Sequence, residues 1–433
     1  MRRTALLAAT LLLTACGGLG PSPADAPNAL VTMGFGLPDE HATARVEVYR
    51  RAHPGTALHI AEGAFDEQQF LSSVAAGDPP DVVYADRRKV GGFAARGAVL
   101  DLSDCLRRHG VDPGRFREAA MRQVTVGGRP HGLPDFSSVR LLILNNPVLR
   151  AAGIDPAAVS TTDWTAVSRL ARVAEVAGPE VRRIGFDPKV PEFLPLWAKA
   201  NGVSLVDTPL DDPKVVEAAE FTADLVRAQG GWASFKAFRD TFDLFGAGNP
   251  FATGQLAVMP MDSWYVNTIA TVTPNADVTV TPFTDREGQP LTDSGGQAWG
   301  IPKGARHPDA ACDFLVAMTD TDTWVTAATA RRDALARGGK PYGGTFTANR
   351  EADERIFREV WRPGGNRLLD QAVPVLLSLQ DKAFALPVSP AASDLVRAWE
   401  GGVNRVLSGS DPPGEAMARA QREAAGAVRR VTR

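Results

Sequence analysis

The chain has 433 residues, 44% apolar and 22% charged, with 47 Lys and Arg against 50 Asp and Glu and a formal net charge of −3. At roughly 100–200 residues per domain this leaves room for two or three domains, and the composition excludes collagen-like and wholly disordered chains. There is no basic stripe interleaved with aromatics, which argues against a nucleic-acid partner.

Met1, Arg2 and Arg3 precede an apolar stretch, Ala5 to Ala15, that is too short for a spanning helix of about 20 residues. It predicts a signal peptide over 1–15. Leu13-Thr14-Ala15-Cys16 with Gly17 behind it resembles the lipobox of bacterial lipoproteins. That resemblance implies cleavage before Cys16, lipidation of its thiol and an extracytoplasmic body anchored to the bacterial membrane. The small, turn-forming residues up to Pro27 make 16–27 the lipidated tether.

Ala29 to Gly36 is an apolar run ending in glycines, and Pro38-Asp39-Glu40 opens a segment with Ala42, Val46 and Tyr49 at helical spacing. A strand at Leu58–Ile60, a helix at Phe65–Ala76, a Gly77–Pro80 break and a buried strand at Asp81–Ala85 follow. This alternation runs to about residue 320 and predicts an α/β fold with parallel sheets covered on both faces. Ligands in such sheets sit beyond the strand carboxyl ends. Segments 353–361, 368–386, 394–407 and 413–431 carry helical periodicity, so the C-terminal part is mainly helical, with Arg429 to Arg433 a frayed end. Cys105 and Cys312 either pair in an oxidising compartment or stay as two small buried thiols.

Several chemistries are missing. Gly34-Phe35-Gly36 has Asp39 where a dinucleotide loop needs its third glycine, and the six histidines never approach metal-ligand spacing. There is no C-x-x-C and no P-loop, and Asp293-Ser294-Gly295 lacks a nucleophile-elbow pattern. No metal, no cofactor and no catalytic residue is expected. Paired carboxylates keep a secreted carbohydrate-active enzyme as the reading from another class.

A series of motifs in order resembles the family 1 extracellular solute-binding proteins of ABC importers. These are His53-Pro54-Gly55, then Leu71 to Leu100 around Pro80-Asp81-Val82-Val83, then Gly128 to Pro134, and Leu141 to Gly153. Asp163-Trp164, Phe251 to Met259 with Asp262-Ser263-Trp264, and Gly295 to Gly304 with Pro308 to Leu315 complete it. The resemblance implies a two-lobed periplasmic-binding-protein fold of type II character, with the ligand cleft between lobes. Residues 28–137 with 294–337 would form the first lobe, and 138–293 with 338–433 the second, the chain crossing near Ser137, Ser294 and Gly338. It also implies a monomer that binds a sugar or oligosaccharide, closes, and delivers it to the ABC permease transmembrane subunits. Leu144, Gln297 and Arg87-Arg88-Lys89 depart from the family pattern and leave the ligand open.

Sugar recognition needs flat aromatic faces and carboxylates or amides for hydroxyls. Trp264 is the expected stacking ring. Asp86 and Arg87 follow the strand Val82–Ala85, and Phe35 and Gly36 end the first strand. Phe136 and Ser138 lie at the crossover, Glu192 and Phe193 precede a helix of the second lobe, and Gly296 and Gln297 lie in the returning loop. Trp164, Trp324, Trp361 and Trp399 sit in helical patterns and read as core, while Trp197, Trp232 and Trp299 stay open. Arg87, Arg88 and Arg140 would suit a non-sugar anion such as a glycerophosphodiester.

Overall fold

The computed structural model describes residues 29–205 and 207–432; the expected signal peptide, Cys16 and the tether lie outside the described residues. In chain order the strands are β1 (Ala29–Met33), β2 (Ala57–Ala61), β3 (Val82–Asp86), β4 (Thr125–Val126), β5 (Arg129–Pro130), β6 (Leu133–Pro134) and β7 (Arg140–Asn145). They continue with β8 (Glu175–Ala177), β9 (Glu180–Phe186), β10 (Leu256–Asp262), β11 (Val278–Thr281), β12 (Thr292–Asp293), β13 (Gln297–Gly300) and β14 (Ala383–Phe384). Two five-stranded sheets result, β2-β1-β3-β13-β6 and β11-β7-β10-β9-β8, and each centres one lobe.

In the first lobe Asp39 caps the helix Glu40–Ala52, its Oδ1 accepting from the Ala42 amide at 3.1 Å. Ala42, Val46 and Tyr49 are buried on that helix, as their spacing predicts. They join a core with Leu30, Val82, Trp299 and Phe314. Cys105 and Cys312, 207 residues apart in sequence, are bonded as a disulfide. The bond ties the helix Ser103–Arg108 to the helix Pro308–Thr319 inside this core.

The sheets are mixed, where the sequence reading expects parallel ones. β1 runs parallel to β2 and β3, but β13 is antiparallel to both β3 and β6. In the second lobe β10 is parallel to β9 and antiparallel to β7. β7 is RLLILN, buried from Leu141 to Asn145, and its continuous apolar run reports burial on both faces rather than strand direction. Direction is set by the connections, and β7 and β13 each enter their sheet from a crossing between lobes.

Crossing segments lie side by side. Ser138 and Gly295 form a reciprocal pair, each amide donating to the other's carbonyl at 2.9 Å. The Ser137 amide donates to Phe346 O, and β12 pairs with β14. The third passage, expected near Gly338, comes after Val360. Ala352, Ile356 and Val360 pack under Trp324, Ala327 and Ala328 of the helix Thr321–Arg337, which holds residues 345–360 against the first lobe. The C-terminal helices Arg367–Gln380, Ala392–Ser408 and Pro413–Val431 then pack on the second lobe through Leu369, Trp399 and Met417.

Candidate functional site

The same edge of each sheet faces the space between the lobes. On the first lobe Asp86 ends β3 opposite Gln297, which begins β13. On the second, Asp262 ends β10 opposite Arg140, which begins β7. A cavity of about 640 Å³ opens between these edges, bordered by both crossing segments and by the loop Pro341–Phe346. Its size falls within the usual range of about 300–1,000 Å³ for small-molecule sites.

Seven of the eleven residues singled out in the sequence line this cavity: Asp86, Phe136, Ser138, Glu192, Trp264, Gly296 and Gln297. Trp264 is 42% exposed and is the only one of the eight tryptophans on its wall. Its indole lies parallel to Phe245, with centroids 5.8 Å apart, and edge-on to Tyr265. Trp197 and Trp299 are fully buried, Trp232 is half-buried beneath Arg239, and Trp164, Trp324 and Trp399 are core. Trp361 is half-buried.

Phe35, Gly36, Arg87 and Phe193 do not line the cavity. Phe35 is 4% exposed and packs edge-on against Tyr84 and Trp299. β1 stops at Met33, so the chain has turned into the core before the cleft begins, and Gly36 faces Glu62 and Pro38. Phe193 is buried beneath the Arg140 guanidinium. Arg87 opens the helix Arg87–Ala95 one residue after Asp86 takes the cap position, its carboxylate accepting from the Arg88 amide at 2.9 Å. The turn sends the Arg87 side chain inward, where burial pulls its pKa down to about 10.

Other cleft residues are absent from the expected sugar contacts, although Arg140 is singled out in the sequence for an anion and Asp262 lies in the motif that carries Trp264. Arg140 Nη1 contacts Asp262, and Nη2 lies 3.4 Å from Asp293, with all three side chains under one fifth exposed. Burial raises the Asp262 pKa, Arg140 opposes this, and Asp293 and Glu192 push it further up. Burial likewise disfavours the Arg140 charge, but Asp293 and Asp262 outweigh it and raise its pKa. Asp39 sits at the opposite wall; burial raises its pKa, but His41 and the Ala42 amide bring it down to about 2. His41 Nε2 lies 2.6 Å from Thr345 Oγ1, tying the helix start to the loop over the cleft. Across that loop, a Cβ on Gly343 would fall 2.0 Å from Asn267 Oδ1, so the loop rests directly on the second lobe. Only a glycine allows this approach.

A model of the bacterial extracellular solute-binding protein family matches residues 39–323. The chain belongs to this family. An uncharacterised lipoprotein in the oleD 5′ region of Streptomyces antibioticus is 29% identical over 164 residues, 36% of this chain and 35% of that one. The chain thus matches about a third of that relative's length. CpMnBP1, solved with mannobiose bound, superposes with a TM-score of 0.74 at 22% identity, over 92% of this chain and 100% of that one. An ABC transporter solute-binding protein from Thermotoga lettingae, bound with α-D-tagatose, gives 0.71 at 17% identity, over 93% and 100% of the two chains. The GacH receptor of Streptomyces glaucescens, solved unliganded and with acarbose, gives 0.68 at 18% identity, over 93% and 98%. These likenesses establish the two-lobed fold, and the family is one of solute-binding proteins rather than enzymes.

Proposed function

We propose that this chain is the lipid-anchored receptor of an ABC importer, capturing a neutral sugar or oligosaccharide between its lobes and presenting it to the permease. The carrying observation is Trp264, an exposed aromatic face in a cleft whose wall also carries the carboxylates of Asp86, Glu192 and Asp262, the guanidinium groups of Arg88 and Arg140 and the amides of Asn267 and Gln297. A pyranose offers the complement: an apolar C–H face for the ring and hydroxyls for the planar polar groups. Mannobiose, tagatose and acarbose in the structural neighbours support the same reading.

The anionic alternative loses its cations. Arg87 is outside the cavity, Arg88 pairs with Asp86, Arg140 with Asp262 and Asp293, and Arg331 with Glu40. Glu192 and Asp39 add further negative charge to the wall, so a phosphate would meet repulsion before it met a free guanidinium.

The test is calorimetric titration of the purified protein with mono- and oligosaccharides, mannobiose among them, and with glycerophosphodiesters, followed by product analysis. Saturable heat with a neutral sugar and no products is the expected result. Binding confined to the phosphodiesters would overturn the sugar reading, and turnover would overturn the receptor reading. Membrane anchoring is checked by Cys16→Ser, which should release the protein into the soluble fraction.

A further inference from the structure

Arg87 carries a buried charge that the binding site does not use. Its side chain is 1% exposed and forms no ion pair among the described residues. Burying such a charge is costly unless every N–H finds an acceptor. The acceptors are a selected set. Nε donates to Gln123 Oε1 at 2.9 Å, Nη1 to Phe136 O at 2.9 Å, and Nη2 to Ser294 Oγ at 2.8 Å and to Gly295 O. The Arg87 amide donates to Gly296 O at 3.1 Å, and Gln123 Nε2 to Ser294 O at 3.1 Å. Phe136 belongs to the first crossing and Ser294 to Gly296 to the second. One guanidinium rooted in the first lobe therefore holds both crossings at their first-lobe ends.

The second lobe grips the same segment one step away. The Arg140 amide donates to Thr292 Oγ1 at 2.6 Å, and its guanidinium faces Asp293. Between the two holds lie Ser137 to Val139 on one crossing and, on the other, only the link from Asp293 to Ser294. Gly295 is boxed in: a Cβ there would fall 2.7 Å from Ser138 Oγ and 2.9 Å from Arg140 Nη1. A Cβ on Gly296, at φ +136°, would fall 2.1 Å from Phe136 O and 3.0 Å from Arg87 Nη1.

We infer that Arg87 is a positioning residue of the hinge: it fixes the first-lobe end of the first two crossings, confines their pivot to residues 137–139 and the link between 293 and 294, and thereby biases the opening equilibrium of the empty receptor. The inference deepens the receptor reading above and requires lobe motion, but not that the ligand be a sugar. A fork with fixed geometry can hold a side-chain amide, a hydroxyl and two carbonyls at once, and a lysine ammonium cannot.

The experiment uses full-length, ligand-free protein and two readouts: amide hydrogen exchange at Ser138 and Gly295, and the radius of gyration from solution scattering. Arg87→Gln should speed exchange of these two amides about tenfold, in line with loss of a charge-assisted hydrogen bond, and enlarge the radius of gyration. Arg87→Lys should recover part of both. Val82→Ala, a cut in the first-lobe core, serves as the comparison variant of lowered thermal stability. The inference is overturned if Arg87→Gln and Val82→Ala speed these amides only in proportion to their thermal loss and leave the scattering unchanged. Should Arg87→Gln not fold, Ser294→Ala removes one acceptor and must move both readouts in the same direction. Failure of every sugar to bind while these shifts persist would sink the sugar reading and leave the hinge assignment supported.

Discussion

Trp264→Ala removes the ring on which the sugar reading stands. A tryptophan presents up to about 250 Å², and 42% exposure leaves about 100 Å² for a ligand to cover. At about 25 cal/mol per Å², covering all of it stabilises the complex by about 2.5 kcal/mol, and covering one face by about half that. The expected loss of affinity is therefore about 10- to 60-fold. Trp264→Phe, which keeps a smaller stacking face, should lose less. Phe245, parallel to the indole, holds its orientation, so Phe245→Ala should weaken binding in the same direction. Titration calorimetry with the tightest sugar of the panel reads the change directly. Stability should fall by no more than about 1 kcal/mol, because the ring is already partly in water. An affinity within twofold of the unmodified protein, for every sugar that binds it, would refute the stacking role.

Arg140→Met leaves Asp262 and Asp293 facing each other without their cation, so urea unfolding at pH 7 should show a loss of about 3–5 kcal/mol, shrinking as the carboxylates protonate in acid. A loss below about 1 kcal/mol would mean that solvent screens the cluster. Gly343→Ala places a Cβ 2.0 Å from Asn267 Oδ1, so the loop must lift off the helix Trp264–Val272. The expected outcome is weaker sugar binding and a more open scattering profile, partly reversed by adding Asn267→Ala. Asp39 has its pKa lowered from 3.8 to about 2, so its contribution is present above pH 4 and is lost as pH falls through 2. Asp39→Asn should accordingly lower the melting temperature at pH 6 and leave it equal to that of the unmodified protein below pH 2; a pH-independent difference would rule out this linkage.

The α/β character was legible because buried strands and amphipathic helices leave periodic traces, whereas the division into two lobes came only from the family resemblance. Ala42, Val46 and Tyr49 face the core on the helix where spacing put them, and the run Pro413–Val431 is one helix from end to end. Single-residue direction at element junctions was not legible. Asp86 and Arg87 are neighbours beyond one strand, yet the helix begins between them, so one carboxylate caps at the cleft wall while the guanidinium turns inside. Strand direction was equally hidden, since β7 is buried whichever way its partners run. Long-range pairings left no local trace either: the Cys105–Cys312 bond spans 207 residues, and the contact of Gly343 with Asn267 depends on a loop meeting a distant helix. Asp262 stood beside Trp264 in a motif already singled out, so it was within reach, whereas its pairing with Arg140 needed the β7–β10 register.

The cleft's charges and its hinge follow one physical scheme. Carboxylates and guanidinium groups locked into pairs are already desolvated and oriented before a ligand arrives, so their remaining lone pairs and N–H groups meet hydroxyls with little further ordering. That arrangement favours a neutral, hydroxyl-rich solute and penalises a charged one. Closure adds a second condition, because a ligand shifts the lobes only by its differential affinity for the closed state. Asp86 and Gln297 lie on one sheet edge, and Asp262, Arg140 and Trp264 on or next to the other. A sugar touching both sets gains contacts only when the edges approach. With the first two crossings held on the first-lobe side by Arg87 and on the second by Arg140, that approach turns on a few dihedrals of these segments, and the ligand's differential contact energy drives it.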